Sequence, residues 1–137
     1  MIEKIIESKA FISEIIEGKT IESVIVLGSG MSGFEENYKP LYQLNYSEIP
    51  NFLQPSIEGH SGKLSIVNIE GKITAILSGR AHFYEGYPIQ ELVIPIRTFI
   101  MLGAKTLILT NAAGGISSEY IPAVSYTHLT LPTRLLV

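Results

Sequence analysis

The sequence contains no cysteine and no tryptophan. The missing cysteines exclude disulfides, thiol catalysis and cysteine-ligated metal together, and they fit a reducing compartment. There is no Lys/Arg run and the formal net charge is only -3. The electrostatic footprint of a nucleic-acid surface is therefore absent, and any anion must be held by local groups. No apolar run approaches the roughly 18 to 20 residues that a membrane-spanning helix needs. Glu3, Glu7 and Glu14 among the N-terminal isoleucines give the wrong charge order for a signal peptide. A cytoplasmic location without a membrane partner is the expectation. HExxH, clustered carboxylates and histidine pairs at ligand spacing are missing as well, which disfavours a metal.

What is present is the balance of a globular domain: 137 residues, 46% hydrophobic and 17% charged, enough to bury one core. Ile2, Ile5, Ile6, Ile12, Ile15 and Ile16 recur at helical spacing, with Gly18 placed to end the helix. Val24 to Leu27 is a short, wholly apolar run before a glycine, the pattern of a central strand covered on both faces. Tyr42 to Tyr46 alternates weakly. Leu64 to Ile69 and Ile73 to Leu77 read as two strands joined at Glu70-Gly71-Lys72 in a hairpin. Ile89 to Leu102 has helical spacing, with a kink expected at Pro95 and an end at Gly103; Thr106 to Leu109 reads as another buried strand. Helices alternating with apolar strands that end in glycine describe an α/β layer fold, whose ligands gather outside the carboxyl ends of strands.

The first such end, "SVIVLGSGMSGF", spells Gly28-x-Gly30-x-x-Gly33, the spacing of a dinucleotide fingerprint. That reading needs a full crossover helix next, yet Pro40 leaves only about six residues before the next strand, against the 10 to 12 a crossover requires. Glu48, 20 residues after Gly28, sits beside Pro50 and not at a clear strand end. The simpler reading is a nest of backbone N–H groups at Gly28-Ser29-Gly30 with one hydroxyl donor beside it, suited to phosphate.

A second stretch, "SGRAHFYEGY", follows the strand Ile73 to Leu77. If the chain stays extended past Gly79, Arg80, His82 and Tyr84 share one face. Arg grips phosphate in a fork, His donates or exchanges a proton, and Tyr offers a flat body and a hydroxyl to a sugar. Glu85 is placed to orient His82 and raise its pKa. The plain alternative is an exposed hairpin end with a weak surface ion pair. His60, in "EGHSGKL", flanks the same hairpin as His82; a lone loop histidine is the alternative there. In "TNAAGG", Ala112 and Ala113 bring no functional side chain, so a role would rest on backbone amides and Asn111, with close packing as the alternative.

In this order and at these spacings, "VLGSGMSGF", "EIPNF", "EGHSGKL", "SGRAHFYEGYP" and "LTNAAGGI" resemble the trimeric class of purine nucleoside phosphorylases, over roughly residues 1 to 122. Methylthioadenosine phosphorylases are similar in fold, and the YEGYP run favours the purine nucleoside branch. The resemblance implies an incomplete nucleoside phosphorylase-like fold, a central mixed sheet flanked by helices. It implies reversible phosphorolysis of purine nucleosides, a homotrimer, and no cofactor beyond phosphate as co-substrate. Carried over by motif, Ser29, His60, Arg80, Ala81, His82 and Ala112 hold phosphate and Tyr84 contacts the ribose. His82 and Glu85 form the catalytic pair, supported by Gly28, Gly30 and Asn111. The family's chain is about twice as long, and the Glu and Asn that grip its purine, a further phosphate-binding Ser and a His near the 5'-hydroxyl have no matching positions here. Without them, a non-catalytic phosphate-binding fragment is the rival reading. Residues 1–123 are thus expected to form the N-terminal part of the domain. Residues 124–137, "VSYTHLTLPTRLLV", fit no pattern of the family and are expected to be foreign or artefactual.

Overall fold

A computed structural model describes residues 1–31, 33–55, 62–112, 114–116, 118–119 and 121. Its scaffold is a five-stranded mixed sheet with strand order β2-β3-β4-β1-β5, built from β1 (Ser23–Leu27), β2 (Pro40–Asn45), β3 (Lys63–Ile69), β4 (Lys72–Ser78) and β5 (Thr106–Leu109). β1 runs parallel to both β4 and β5, while β3 is antiparallel to β2 and β4. The carboxyl ends of β1, β4 and β5 therefore lie side by side, at Leu27, Ser78 and Leu109. This one topological fact gathers the three turns that the motifs singled out.

Alternation along the strands sorts the apolar side chains into two layers. Val24, Val26, Ala75, Leu77, Leu64 and Ile66 face α1 (Ile2–Ile15) and α3 (Ile94–Met101), packing on Ile5, Ile12, Ile94 and Phe99. Leu27, Ile76 and Val67 face the other way, under Met31, Phe34 and Tyr38. Among the described residues, helices cover one face of the sheet, while the segment after β1 covers the other with a single 3-10 turn, Phe34–Asn37. A crossover helix after Gly33 is thus absent, as the spacing to Pro40 requires. That segment delivers the chain to β2 at the far edge.

The expected elements form with some differences. The Glu70-Gly71 turn joins β3 to β4 with φ of 50° and 85°, the paired positive values of a tight hairpin turn. α1 ends as Gly18, at φ 71°, donates its N–H to the Ser13 carbonyl. The helix expected over Ile89 to Leu102 is two pieces, α2 (Ile89–Leu92) and α3, separated at Val93. Pro95 occupies the first turn of α3, where its missing N–H costs nothing, so the proline starts a helix instead of kinking one. Thr106 to Leu109 is a strand, but all four residues are exposed, not buried. β5 is the edge of the sheet, and among the described residues nothing pairs beyond it. Residues 124–137 lie outside the described residues.

Candidate phosphate site at three strand ends

Thr110, the first residue after β5, ties the three turns together. Its backbone N–H and its hydroxyl both donate to the Val26 carbonyl, at 3.0 and 3.1 Å. The same hydroxyl accepts the Gly28 N–H at 2.8 Å. Its carbonyl accepts a hydrogen bond from the Arg80 guanidinium at 3.0 Å. Gly28 is required by this approach: a Cβ there would lie 2.3 Å from the Thr110 oxygen and 2.9 Å from Asn111 Cα, inside any tolerable contact. Gly30 serves differently, at φ 85° with open space around it, a backbone position suited to glycine for its conformation. Ser29 between them is exposed.

β4 stops at Ser78, and Gly79 turns the chain at φ 95°. The extended continuation that would align Arg80, His82 and Tyr84 on one strand face therefore does not occur, because residues Phe83–Glu85 wind into a 3-10 turn. Two of the three still meet. The His82 and Tyr84 rings stack 4.9 Å apart at 13°, although Tyr84 is 74% exposed. The Glu85 carboxylate accepts the backbone N–H of His82 at 2.5 Å, so it fixes the start of the turn that carries the imidazole. Gly86, at φ 89°, closes this turn.

A cavity of about 340 Å³ opens beside the Arg80 and Asn111 turns. Arg80, Asn111 and Tyr46 line it together with Val26, Leu77 and Ile96. Asn111 and Ala112 are exposed beyond Thr110. The structure thus brings together the Gly28, Arg80 and Asn111 turns. His60 lies outside the described residues; Gly62 donates its N–H to the Ser78 carbonyl at 3.0 Å, which sets the entry to β3 beside the end of β4. Thr110 and Tyr46 were not singled out from the sequence. A hydroxyl residue at a strand end next to a glycine turn was the available signal for Thr110. Tyr46 sat in a weakly alternating stretch with nothing to distinguish it. Among the described residues no group of three or more His, Asp or Glu is placed to hold a metal, and no helix is long and apolar enough to cross a membrane.

Residues 23–124 match the family model of the phosphorylase superfamily. The chain belongs to this superfamily. Its relatives include purine nucleoside phosphorylase of Mus musculus, 38% identical over 96 residues that make up 70% of this chain and 33% of the relative. Purine nucleoside phosphorylase 1 of Geobacillus stearothermophilus is 38% identical over 98 residues, 72% of this chain and 36% of the relative. The purine nucleoside phosphorylase of Saccharomyces cerevisiae is 33% identical over 146 residues, 95% of this chain and 47% of the relative. The chain spans about a third of the length of the first two relatives.

Proposed function

We propose that this chain carries the phosphate-binding part of a purine nucleoside phosphorylase. In the reaction, a phosphate oxygen forms a bond to the anomeric carbon of a purine ribonucleoside or deoxyribonucleoside. The bond from that carbon to the purine nitrogen breaks, the base leaves with a proton, and the sugar 1-phosphate remains. The transition state is a sugar cation beside a phosphate dianion, so the protein's work is positioning and electrostatic stabilisation. Ser29, Arg80, Ala81, His82 and the Ala112 amide, with His60, are the proposed phosphate ligands. Tyr84 is the proposed ribose contact, and His82 with Glu85 the catalytic pair. Phosphate is a co-substrate and no cofactor takes part. A homotrimer in a reducing, cytoplasmic setting of nucleoside salvage completes the reading.

One observation carries it: the Thr110 hydrogen bonds hold the Gly28 N–H and the Arg80 guanidinium at one place, where parallel strands end. A guanidinium beside a glycine turn is chemically matched to an oxyanion, and this supports the reading. Isothermal titration of the 137-residue chain with inorganic phosphate tests the reading, with saturable binding expected and no binding overturning it. Inosine phosphorolysis by this chain alone is expected to be negligible, since no described residue is assigned to the departing purine. Turnover matching that of a full-length relative in a coupled assay would contradict this.

A further inference from the structure

We propose that Tyr46 is a positioning residue that sets the direction of Arg80 by locking the peptide before it. This rests on the phosphate reading of the site. The Tyr46 ring is buried, with 2% exposure, and packs edge-on against Phe52 at 5.6 Å. Its hydroxyl donates to the Gly79 carbonyl at 2.8 Å. That carbonyl belongs to the Gly79–Arg80 peptide, so holding it fixes the plane from which the Arg80 Cα departs.

The need for a tether follows from the residue involved. Gly79 lies at φ 95°, and glycine has the widest choice of conformations at such a turn. With β4 ended at Ser78, the ladder no longer restrains it. Tyr46 is itself held, since its backbone N–H donates to the Gly62 carbonyl at 2.7 Å and Gly62 donates to the Ser78 carbonyl at 3.0 Å. Tyr46 therefore links Gly62, at the entry to β3, through its backbone and the start of the turn that contains Arg80 through its hydroxyl. At the far end of the Arg80 side chain, the Thr110 carbonyl provides a second fixed point, 3.0 Å from the guanidinium. A charged group meant to grip an oxyanion gains most from being fixed before the ligand arrives, because misplacement by about 1 Å costs much of its effect.

Tyr46→Phe keeps the ring and removes the tether. The control is Thr74→Val, which breaks the 2.7 Å hydroxyl pair with Ser23 at the amino end of β1 and β4, away from the turns. Amide exchange of the segment 79–82, measured by mass spectrometry without ligand, is expected to rise about tenfold in Tyr46→Phe beyond any global change shared with Thr74→Val. Phosphate affinity is expected to fall about five- to tenfold in Tyr46→Phe and less than about twofold in Thr74→Val, after normalising to the folded fraction. Equal exchange of 79–82 in both variants, or unchanged phosphate affinity in Tyr46→Phe, overturns the proposal. If the unsubstituted chain binds no phosphate, the phosphate reading fails, and the exchange comparison alone decides whether Tyr46 holds the turn.

Discussion

Arg80 has one observed contact and one proposed role, and both fall on the same side chain. It donates to the Thr110 carbonyl and is a proposed phosphate ligand. Arg80→Ala is expected to weaken phosphate binding by about 1.5 to 3 kcal/mol, the scale of one charge-assisted hydrogen bond; an unchanged dissociation constant by titration would remove Arg80 from the site. Gly28 faces a steric limit instead of a chemical one. Gly28→Ala puts a methyl 2.3 Å from the Thr110 oxygen, so the β1 and β5 turns must separate. A loss of about 1 to 3 kcal/mol in urea unfolding is the expected overpacking cost, and a neutral substitution would mean the two turns are loosely joined. Burial pushes the Tyr46 hydroxyl well above its ordinary value of 10.0, and the Glu35 carboxylate adds in the same direction. A raised pKa means the folded state keeps its proton while the unfolded chain, above about pH 10, releases one. The Tyr46 contribution is therefore complete below that pH and declines above it, by at most about 1.4 kcal/mol per pH unit. Unfolding of Tyr46→Phe is expected to lack this alkaline component; a pH slope identical to that of the unsubstituted chain would show that the hydroxyl is not held protonated.

At the scale of elements, the strands were legible because short apolar runs stopped by glycine have few other interpretations. Val24 to Leu27 and the paired runs around Glu70-Gly71 fall where the pattern puts them. The break at Val93 was not legible. Helical spacing continues across it, and only the placement of Pro95 in a first turn, which depends on α3 packing against α1 and the sheet, decides between kink and start. The exposure of β5 was not legible either. An apolar run states that a strand can be covered, and whether it is depends on what else packs there. The hairpin makes a direct test of local reading. Glu70 holds φ 50° at a position that favours asparagine, so Glu70→Asn is expected to stabilise the chain by about 0.5 to 1 kcal/mol. A loss of stability would show that the Glu70 side chain contributes more than its backbone preference does.

For the molecule as a whole, the candidate site was more legible in its parts than in its assembly. The glycine turn, Arg80 and "TNAAGG" each declared small residues or charge at a strand end. That they share one edge follows only from β1 lying between β4 and β5 in parallel, a long-range fact that no local spacing encodes. Thr110 is the consequence: its value comes entirely from what stands on either side of it. The most direct test is an amide spectrum of the chain titrated with inorganic phosphate. Saturable shifts at Gly28, Ser29, Arg80 and Ala112 with one shared dissociation constant, abolished in Arg80→Ala, are the predicted result. Shifts scattered over unrelated surfaces, or none at these four residues, would contradict the account.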